Sequence, residues 1–158
     1  MHPNAQLIDG FYKAFAVKDH AAMQACYAPE ATFEDAVFRL RGKEVGAMWH
    51  MLCEGGRDLT LTYSGVGADD TTGRAHWEAR YTFSSTGRKV HNVIDAAFDF
   101  KDGRIVAHRD RFGFWRWSSQ ALGPAGLLLG WTPLVRNKVR TTARARLEKF
   151  MAGKAEYL

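Results

Sequence analysis

Residues 89–117 read KVHNVIDAAFDFKDGRIVAHRDRFGFWRW and decide the fold, because two long strand patterns meet at Asp102-Gly103. An Asp-Gly pair closes a hairpin either through a two-residue primed turn or through a three-residue loop with Gly in the left-handed conformation. In the two-residue version, Arg109 and Arg111 would share a face with apolar side chains, at a desolvation cost. The charge pattern therefore favours the three-residue loop.

The three-residue loop determines which side chains share the apolar face of this hairpin. It places these residues opposite one another: Phe100 and Arg104, Phe98 and Val106, Ala96 and His108, Ile94 and Asp110, Asn92 and Phe112. Asp95 then lies opposite Arg109 on the other face, so that charges pair. His108 and Asp110 are the two ionisable groups on an otherwise largely apolar face, which is typical of a ligand chamber rather than a plain core.

Composition indicates one globular domain, since 158 residues with 46% hydrophobic content can bury a sizeable core. Cys26 and Cys53 lack CxxC or zinc spacing, which favours a reducing compartment. The N-terminus shows no signal-peptide pattern, and no apolar run approaches the roughly 20 residues of a membrane span. We therefore expect a cytoplasmic protein without a membrane partner.

The net charge of +5 is concentrated at the C-terminal end of the sequence. From Thr132 onward, seven basic residues face only Glu148 and Glu156, while the preceding residues are balanced. Such a segment can bind nucleic acid or an anionic membrane, but more often it is the solvated face of an amphipathic helix. We expect the second, and no nucleic-acid partner.

Hydrophobic periodicity predicts three N-terminal helices followed by at least four strands. Asn4 and Asp19 are predicted to cap the first two helices, and Gly42 to precede the third. This order indicates an α+β domain in which a curved antiparallel sheet wraps around the helices. Residues 1–117 form this domain, and residues 118–158 form an extension, with a basic final helix, that packs on the same domain or on a partner subunit.

Two motifs of the chain resemble a known group of proteins. The stretch YAPEATFEDAVF, followed later by FDFKDGRIVAHRD, is similar to the SnoaL-like branch of the nuclear transport factor 2-like superfamily. That group includes ketosteroid isomerases, polyketide cyclases and limonene epoxide hydrolases. The resemblance implies a cone-shaped fold, an apolar ligand held between the sheet and the helices, and a homodimer.

The same resemblance implies candidate catalytic residues. ATFEDAVF resembles the ketosteroid isomerase segment that carries the general base, which corresponds to Asp35, and GRIVAHRD resembles the His-x-Asp segment of SnoaL-type cyclases, which corresponds to His108 and Asp110. The isomerase positions for an oxyanion-binding Tyr and Asp are occupied here by Phe11 and Ala96. Arg39 or Arg41 could supply the arginine that epoxide hydrolases of this fold use.

The residues themselves leave two interpretations open. Burial raises the pKa of a carboxyl such as Asp35 towards a range useful for proton transfer, but Asp35 could instead cap the following loop. His108 and Asp110, two apart on a strand, point to the same side and could handle two protons. Alternatively, a tyrosine or the backbone satisfies the histidine, and Asp110 pairs with an arginine.

These observations predict a cofactor-free isomerase, cyclase or hydrolase that performs acid–base chemistry on a small, largely apolar molecule. The alternative is a non-catalytic binding protein of the same fold. A metal site would need three convergent ligands, which only Asp35, His108 and Asp110 could offer, and we expect none. The predicted pocket residues are Tyr12, Trp49, Tyr63, Trp77, Tyr81, Asn92, Ala96, Phe98 and Phe112.

Overall fold

A computed structural model describes all residues, 1–158, and confirms the α+β fold. The helices are α1 (Pro3–Ala16), α2 (His20–Ala25), α3 (Lys43–Gly55), α4 (Phe114–Leu122), α5 (Pro124–Leu129) and α6 (Pro133–Ala152), followed by a 3₁₀ turn, Ala155–Tyr157. The strands are β1 (Tyr27–Glu34), β2 (Arg39–Arg41), β3 (Thr60–Ala68), β4 (Thr72–Phe83), β5 (Arg88–Lys101) and β6 (Arg104–Arg111). None of the helices combines the length and the apolar character needed to cross a bilayer.

The first helix is capped by His2. The prediction that Asn4 caps it is wrong. Nδ1 of His2 accepts a hydrogen bond of 3.0 Å from the backbone amide of Asn4, and Pro3 occupies the start of the helix. Proline is favoured at the first helical position, and this shifts the cap and the start of the helix by two residues. The Asn4 side chain instead donates to the carbonyls of Asp69 and Asp70, which ties α1 to the turn between β3 and β4.

The six strands form one curved sheet in the order β2-β1-β6-β5-β4-β3. All neighbouring strands are antiparallel except β1 and β6, which run parallel. The sheet is therefore mixed, whereas a wholly antiparallel sheet was predicted. β1 and β6 are far apart in sequence, and no hairpin connection forces them to be antiparallel. The parallel pairing brings Phe33 beside His108.

The turn between β5 and β6 has two residues, so the predicted three-residue loop is wrong. Lys101 pairs with Arg104, and the two residues between them have positive φ, +52° for Asp102 and +76° for Gly103. Positive φ at both central positions defines the type I′ turn, whose twist matches that of the flanking strands. The backbone preference of Asp-Gly thus outweighs the side-chain pairing from which the longer loop was predicted.

A bulge in β6 nevertheless directs the side chains as predicted. Phe100 pairs with Ile105 but Asp99 pairs with Ala107, so Val106 is an extra residue on β6. One extra residue reverses which face each later side chain occupies. Beyond the bulge, His108 lies opposite Phe98 and Asp110 opposite Ala96, so each partner on β5 is two residues further along than predicted. The Arg109 side chain points outward and forms an ion pair with Asp99.

The second strand of the hairpin ends earlier than predicted. β6 stops at Arg111, and α4 begins at Phe114, so that the predicted domain boundary at residue 117 falls inside a helix. Within α4 the buried residues are Phe114, Trp117, Ser118 and Ala121, which have the spacing of one helical face. That face packs on Val90 of β5.

The main core lies between the inner face of the sheet and helices α1 and α3. Trp49 and Phe15 are buried at its centre, with their ring centroids 5.2 Å apart. Leu147 of α6 and Tyr157 of the final turn belong to the same core. The C-terminal extension therefore packs against the body of its own chain.

Candidate functional site

A cavity of about 400 Å³ opens between the inner sheet face, α3 and α6. Most of its wall is apolar, and two carboxylates, Asp35 and Asp110, belong to the lining. Such a cavity is large enough for a small organic molecule and holds few polar groups to orient one. Its wall includes Phe33, Val37, Phe38, Met48, Trp49, Leu52, Leu59, Trp77, Ala79, Tyr81, Asn92, Ile94, Phe112, Trp117, Val139, Thr142, Ala143 and Arg146.

Asp35 lies directly after β1, in the turn that leads to β2. Its Oδ1 accepts hydrogen bonds of 2.7 Å from the backbone amides of Val37 and Phe38. Oδ2 has no hydrogen-bond partner in the protein. Burial raises the pKa of Asp35 to about 6 from an ordinary 3.8, against the opposing effect of the two amides. The residue therefore caps the turn with one oxygen and keeps the other for the cavity.

Asp110 lines the cavity, whereas its neighbour His108 lies behind it and does not. Nε2 of His108 is 2.9 Å from Oδ1 of Asp110, and the histidine is 1% exposed. The same oxygen accepts a longer hydrogen bond of 3.4 Å from Nε1 of Trp77. Oδ2 of Asp110 has no partner in the protein. The prediction that the histidine and the aspartate both reach the ligand is therefore wrong for His108.

The far side of His108 is closed by Tyr27, the first residue of β1, which was not among the predicted site residues. The Tyr27 hydroxyl lies 2.7 Å from Nδ1 of His108 and accepts a hydrogen bond of 3.0 Å from Nε1 of Trp49. Burial raises the pKa of Tyr27 well above its usual value, so the phenol stays neutral. A continuous chain of polar groups thus runs from Trp49 through Tyr27 and His108 to Asp110.

Both nitrogens of His108 therefore have fixed partners. A carboxylate can only accept, so the hydrogen on Nε2 points at Asp110. This arrangement matches the alternative in which a tyrosine satisfies the histidine, but the carboxylate is not paired with an arginine. The geometry suits a histidine that orients and polarises the aspartate rather than one that touches a ligand.

The predicted pocket residues divide into two groups. Trp49, Trp77, Tyr81, Asn92 and Phe112 line the cavity. Tyr12, Tyr63, Ala96 and Phe98 do not, and for these four the prediction is corrected.

The four residues that do not line the cavity lie in the core behind its wall or between α1 and β3. Phe98 and Ala96 are buried at the level of His108, with the Phe98 and His108 ring centroids 4.3 Å apart. Tyr12 stacks on Tyr63, whose hydroxyl donates to Asp9 at 2.7 Å. Tyr63, Ala96 and Phe98 share the inward parity of the lining residues on their strands, but strand alternation gives the face and not the depth.

The wall that α6 contributes was not predicted from the sequence. Val139, Thr142, Ala143 and Arg146 line the cavity, and the Arg146 guanidinium donates to Ser85 Oγ at 2.6 Å near its mouth. The regular spacing of Val139 and Ala143 did indicate an apolar stripe on this helix, yet nothing in the sequence specified its partner. The missed Tyr27 had a weaker signal, since it lies two residues before Pro29, where a helix is disfavoured.

The remaining polar candidates lie outside the cavity. Arg39 and Arg41 are exposed on β2, and Arg39 pairs with Glu34 at the surface, so neither supplies an arginine to Asp35. No group of three or more His, Cys, Asp or Glu side chains is arranged to hold a metal ion. The charged groups that line the cavity are therefore Asp35, Asp110 and, near its mouth, Arg146, with His108 behind Asp110.

Comparison with known proteins places this chain in a family. The family model of the SnoaL-like domain matches residues 8–108. No curated protein matches the sequence. Among solved structures, an epoxide hydrolase from M. tuberculosis, similar to limonene epoxide hydrolase, is 20% identical with a TM-score of 0.60 over 84% of this chain and 95% of its own.

Two further structures show the same architecture. A protein from Xanthomonas campestris, provisionally named a polyketide cyclase, is 20% identical with a TM-score of 0.62 over 75% of this chain and 96% of its own. A nuclear transport factor 2-like protein of unknown function from Burkholderia pseudomallei is 18% identical with a TM-score of 0.61, over 72% and 92% of the two chains. The matched residues end at His108, so Asp110 and the C-terminal extension lie beyond them. This chain belongs to the SnoaL-like family and has the nuclear transport factor 2-like fold.

Proposed function

We propose that this protein is a cofactor-free enzyme that transfers protons on a small, largely apolar molecule held in the cavity. Asp35 is the general base, and Asp110, oriented by His108, binds or protonates an oxygen of the substrate. Isomerisation, ring closure and hydrolysis are all reactions of this type. The proposal rests above all on one observation, which is that two carboxylates, each with an unpartnered Oδ2, line the same apolar cavity.

The environment of Asp35 supports the role of a base. A carboxylate with its ordinary pKa of 3.8 is a weak base, whereas one with a pKa of about 6 is ionised at neutral pH and accepts a proton more readily. The backbone amides of Val37 and Phe38 hold Oδ1, so that the position of Oδ2 is fixed before a ligand binds. Proton abstraction from carbon beside a carbonyl, or from a water molecule, requires such a group.

The environment of Asp110 supports a complementary role. The hydrogen on Nε2 of His108 satisfies Oδ1, and Nδ1 lies 2.7 Å from the Tyr27 hydroxyl. A proton on Oδ2 of Asp110 leaves the hydrogen bond between Nε2 of His108 and Oδ1 in place, so the acid keeps the orientation of the carboxylate. A hydroxyl or carbonyl oxygen of the substrate would contact Oδ2 of Asp110.

A model reaction tests the base without knowledge of the natural substrate. 5-Nitrobenzisoxazole is small and apolar, and it opens to 2-hydroxy-5-nitrobenzonitrile when a base removes its ring proton. We expect the protein to accelerate this opening, followed by absorbance, with a rate that rises with pH through about 6. Asp35→Asn should reduce the rate by about 10²-fold or more, the usual contribution of a general base.

Glu34→Gln is the matched control, since Glu34 is the adjacent carboxylate but is exposed on the outer face. It should leave the rate unchanged. The proposed role of Asp35 would be abandoned if Asp35→Asn and Glu34→Gln were equally active while both bound the substrate as well as the native protein.

The alternative is a non-catalytic protein that stores or carries an apolar ligand. The observation that favours it is the capping of the β1–β2 turn by Oδ1 of Asp35, because this gives the carboxyl a structural use. A binder would take up 5-nitrobenzisoxazole, seen as quenching of Trp49 and Trp77 fluorescence, but would open it no faster than the Asp35→Asn variant does. An enzyme would show both uptake and turnover.

A further inference from the structure

The segment from α4 to the start of α6 carries most of the exposed apolar side chains of the protein. Nine large hydrophobic residues are exposed in the whole chain, and six of them fall between positions 115 and 134. They are Trp115, Leu127, Leu128, Leu129, Trp131 and Leu134. Scattered exposed leucines need no explanation, but a cluster of this kind marks an interaction surface.

Packing between α4 and α5 holds these side chains outward. A Cβ at Gly126 would lie 1.8 Å from the carbonyl oxygen of Ser118, so the two helices are in backbone contact on their shared side. Nε1 of Trp115 donates to the carbonyl of Leu127 at 3.1 Å, which also links the two helices. With its inner side closed by α4, α5 can direct its three leucines only towards solvent.

The same segment is cationic and contains no acidic residue. Between Asp110 and Glu148 there are seven basic residues and no Asp or Glu. Arg116 is adjacent to Trp115 and both are exposed, and Lys138 lies one helical turn beyond Leu134 on the same side of α6. The exposed cations are Arg111, Arg116, Arg136, Lys138, Arg140 and Arg146, none of which pairs with a carboxylate.

We propose that this basic apolar surface, formed by the six apolar residues named above together with Arg116 and Lys138, docks on the face of an anionic lipid bilayer. Trp and Leu side chains enter the headgroup region while Lys and Arg bind lipid phosphates, as in interfacial helices. From the sequence, the basic segment was expected to be a solvated helix face without a membrane partner. The exposed apolar side chains beside its cations favour docking instead, which requires no spanning segment.

Charge distinguishes the bilayer from the other occupants that an apolar surface could have. A second copy of the chain, packed through the same surface, would bring two unpaired cationic clusters together, which is unfavourable. Nucleic acid would neutralise the cations but would leave Leu128 and Leu134 exposed or buried against phosphates. An anionic bilayer satisfies both features, because its surface is negative and its interior is apolar.

Vesicle flotation of the full chain tests the proposal. Neutral phosphatidylcholine vesicles are compared with vesicles that contain phosphatidylglycerol, each at low and at high salt. We expect the anionic vesicles to bind at least about tenfold more protein at low salt and to lose most of this difference at high salt. Emission from Trp115 and Trp131 should shift to shorter wavelength on binding.

Two double variants separate the apolar and the cationic contributions. Leu128→Gln with Leu134→Gln keeps the charge and should reduce binding to anionic vesicles at least about fivefold, as the apolar contacts are lost. Its control is Val17→Gln with Leu158→Gln, two side chains that are 75% and 81% exposed outside this surface.

Arg116→Gln with Lys138→Gln should remove most of the preference for anionic over neutral vesicles. Its control is Lys101→Gln with Arg104→Gln, which removes two exposed cations from the β5–β6 turn and should change nothing. All four residues lack side-chain hydrogen bonds and ion pairs, so none of these substitutions removes a structural contact.

Three results would overturn the proposal. The first is equal binding of the native protein to neutral and anionic vesicles, or binding to neither. The second is a native dimer in analytical ultracentrifugation that Leu128→Gln with Leu134→Gln converts to a monomer, which would assign the surface to a second copy. The third is equal loss of vesicle binding in a double variant and its control.

Discussion

Nε2 of His108 lies 2.9 Å from Oδ1 of Asp110, yet only the aspartate lines the cavity. The histidine is enclosed by Phe33, Phe98 and Tyr27, so that it reaches the cavity only through Asp110. In the proposed mechanism it is a positioning residue, and its environment is a polar chain inside an apolar core. Such chains are stabilising only when every member has a partner.

Tyr27→Phe tests that requirement. The change removes the hydroxyl and leaves Nε1 of Trp49 and Nδ1 of His108 buried without a partner. We expect the free energy of unfolding, measured with urea, to fall by about 1–3 kcal/mol. Tyr63→Phe is the control, because the Tyr63 hydroxyl bonds to Asp9, which keeps Lys13 as a partner. If Tyr63→Phe lowered the free energy of unfolding as much as Tyr27→Phe, burial of the polar groups around His108 would not increase the cost of losing a partner.

The raised pKa of Asp35 predicts a stability that depends on pH. The folded protein holds this proton up to about pH 6, whereas the unfolded chain releases it near 3.8. Stability therefore falls as the pH rises between these values, and the ionised carboxylate is unfavourable at neutral pH. Asp35→Asn should be more stable than the native protein at pH 7.5, by about 1–3 kcal/mol, and this difference should disappear below pH 4.

Urea unfolding at both pH values measures this effect. Glu34→Gln serves again as the control, since the Glu34 side chain is 53% exposed and pairs only with Arg39 at the surface. It should change stability by no more than about 0.5 kcal/mol at either pH. A destabilised Asp35→Asn variant at pH 7.5 would mean that the amides of Val37 and Phe38 outweigh burial, and that the carboxylate is a structural cap.

The wall provided by α6 predicts that bulk added there blocks the cavity. Ala143 lines the cavity, whereas Ala145 lies on the exposed side of the same helix. Ala143→Trp should weaken binding of the neutral fluorescent probe N-phenyl-1-naphthylamine by at least about tenfold, and Ala145→Trp should not. Fluorescence titration gives both affinities. Equal affinities for the two variants would show that the probe binds elsewhere.

The sequence was sufficient to predict the faces of the strands. Alternation along β4 and β5 placed Trp77 and Ile94 inward, and the need to keep Arg109 out of the core placed His108 and Asp110 inward. The family resemblance added the position of Asp35. These features can be predicted because they depend on the pattern of residues close together in the sequence.

Depth and partners could not be predicted in the same way. His108 is closed off by Tyr27, which comes from a strand 81 positions earlier in the sequence, and the cavity is walled by a helix outside the matched family residues. The Val106 bulge, which corrects the parity after the tight turn, is a property of the packed sheet. Contacts between distant elements depend on the tertiary structure, which periodicity does not encode.

The tight turn itself predicts opposite effects for two glycine substitutions. Gly103 has a φ of +76°, and nothing lies within 4 Å of a Cβ built there, so Gly103→Ala adds backbone strain and no clash. It should lower the free energy of unfolding by about 1 kcal/mol. Gly10 lies in α1 with equally open space around a Cβ, and Gly10→Ala should raise the same quantity by about 0.5–1 kcal/mol, because alanine favours the helix. Urea unfolding measures both, and a Gly103→Ala variant as stable as the native protein would exclude the type I′ turn and, with it, the need for the bulge at Val106.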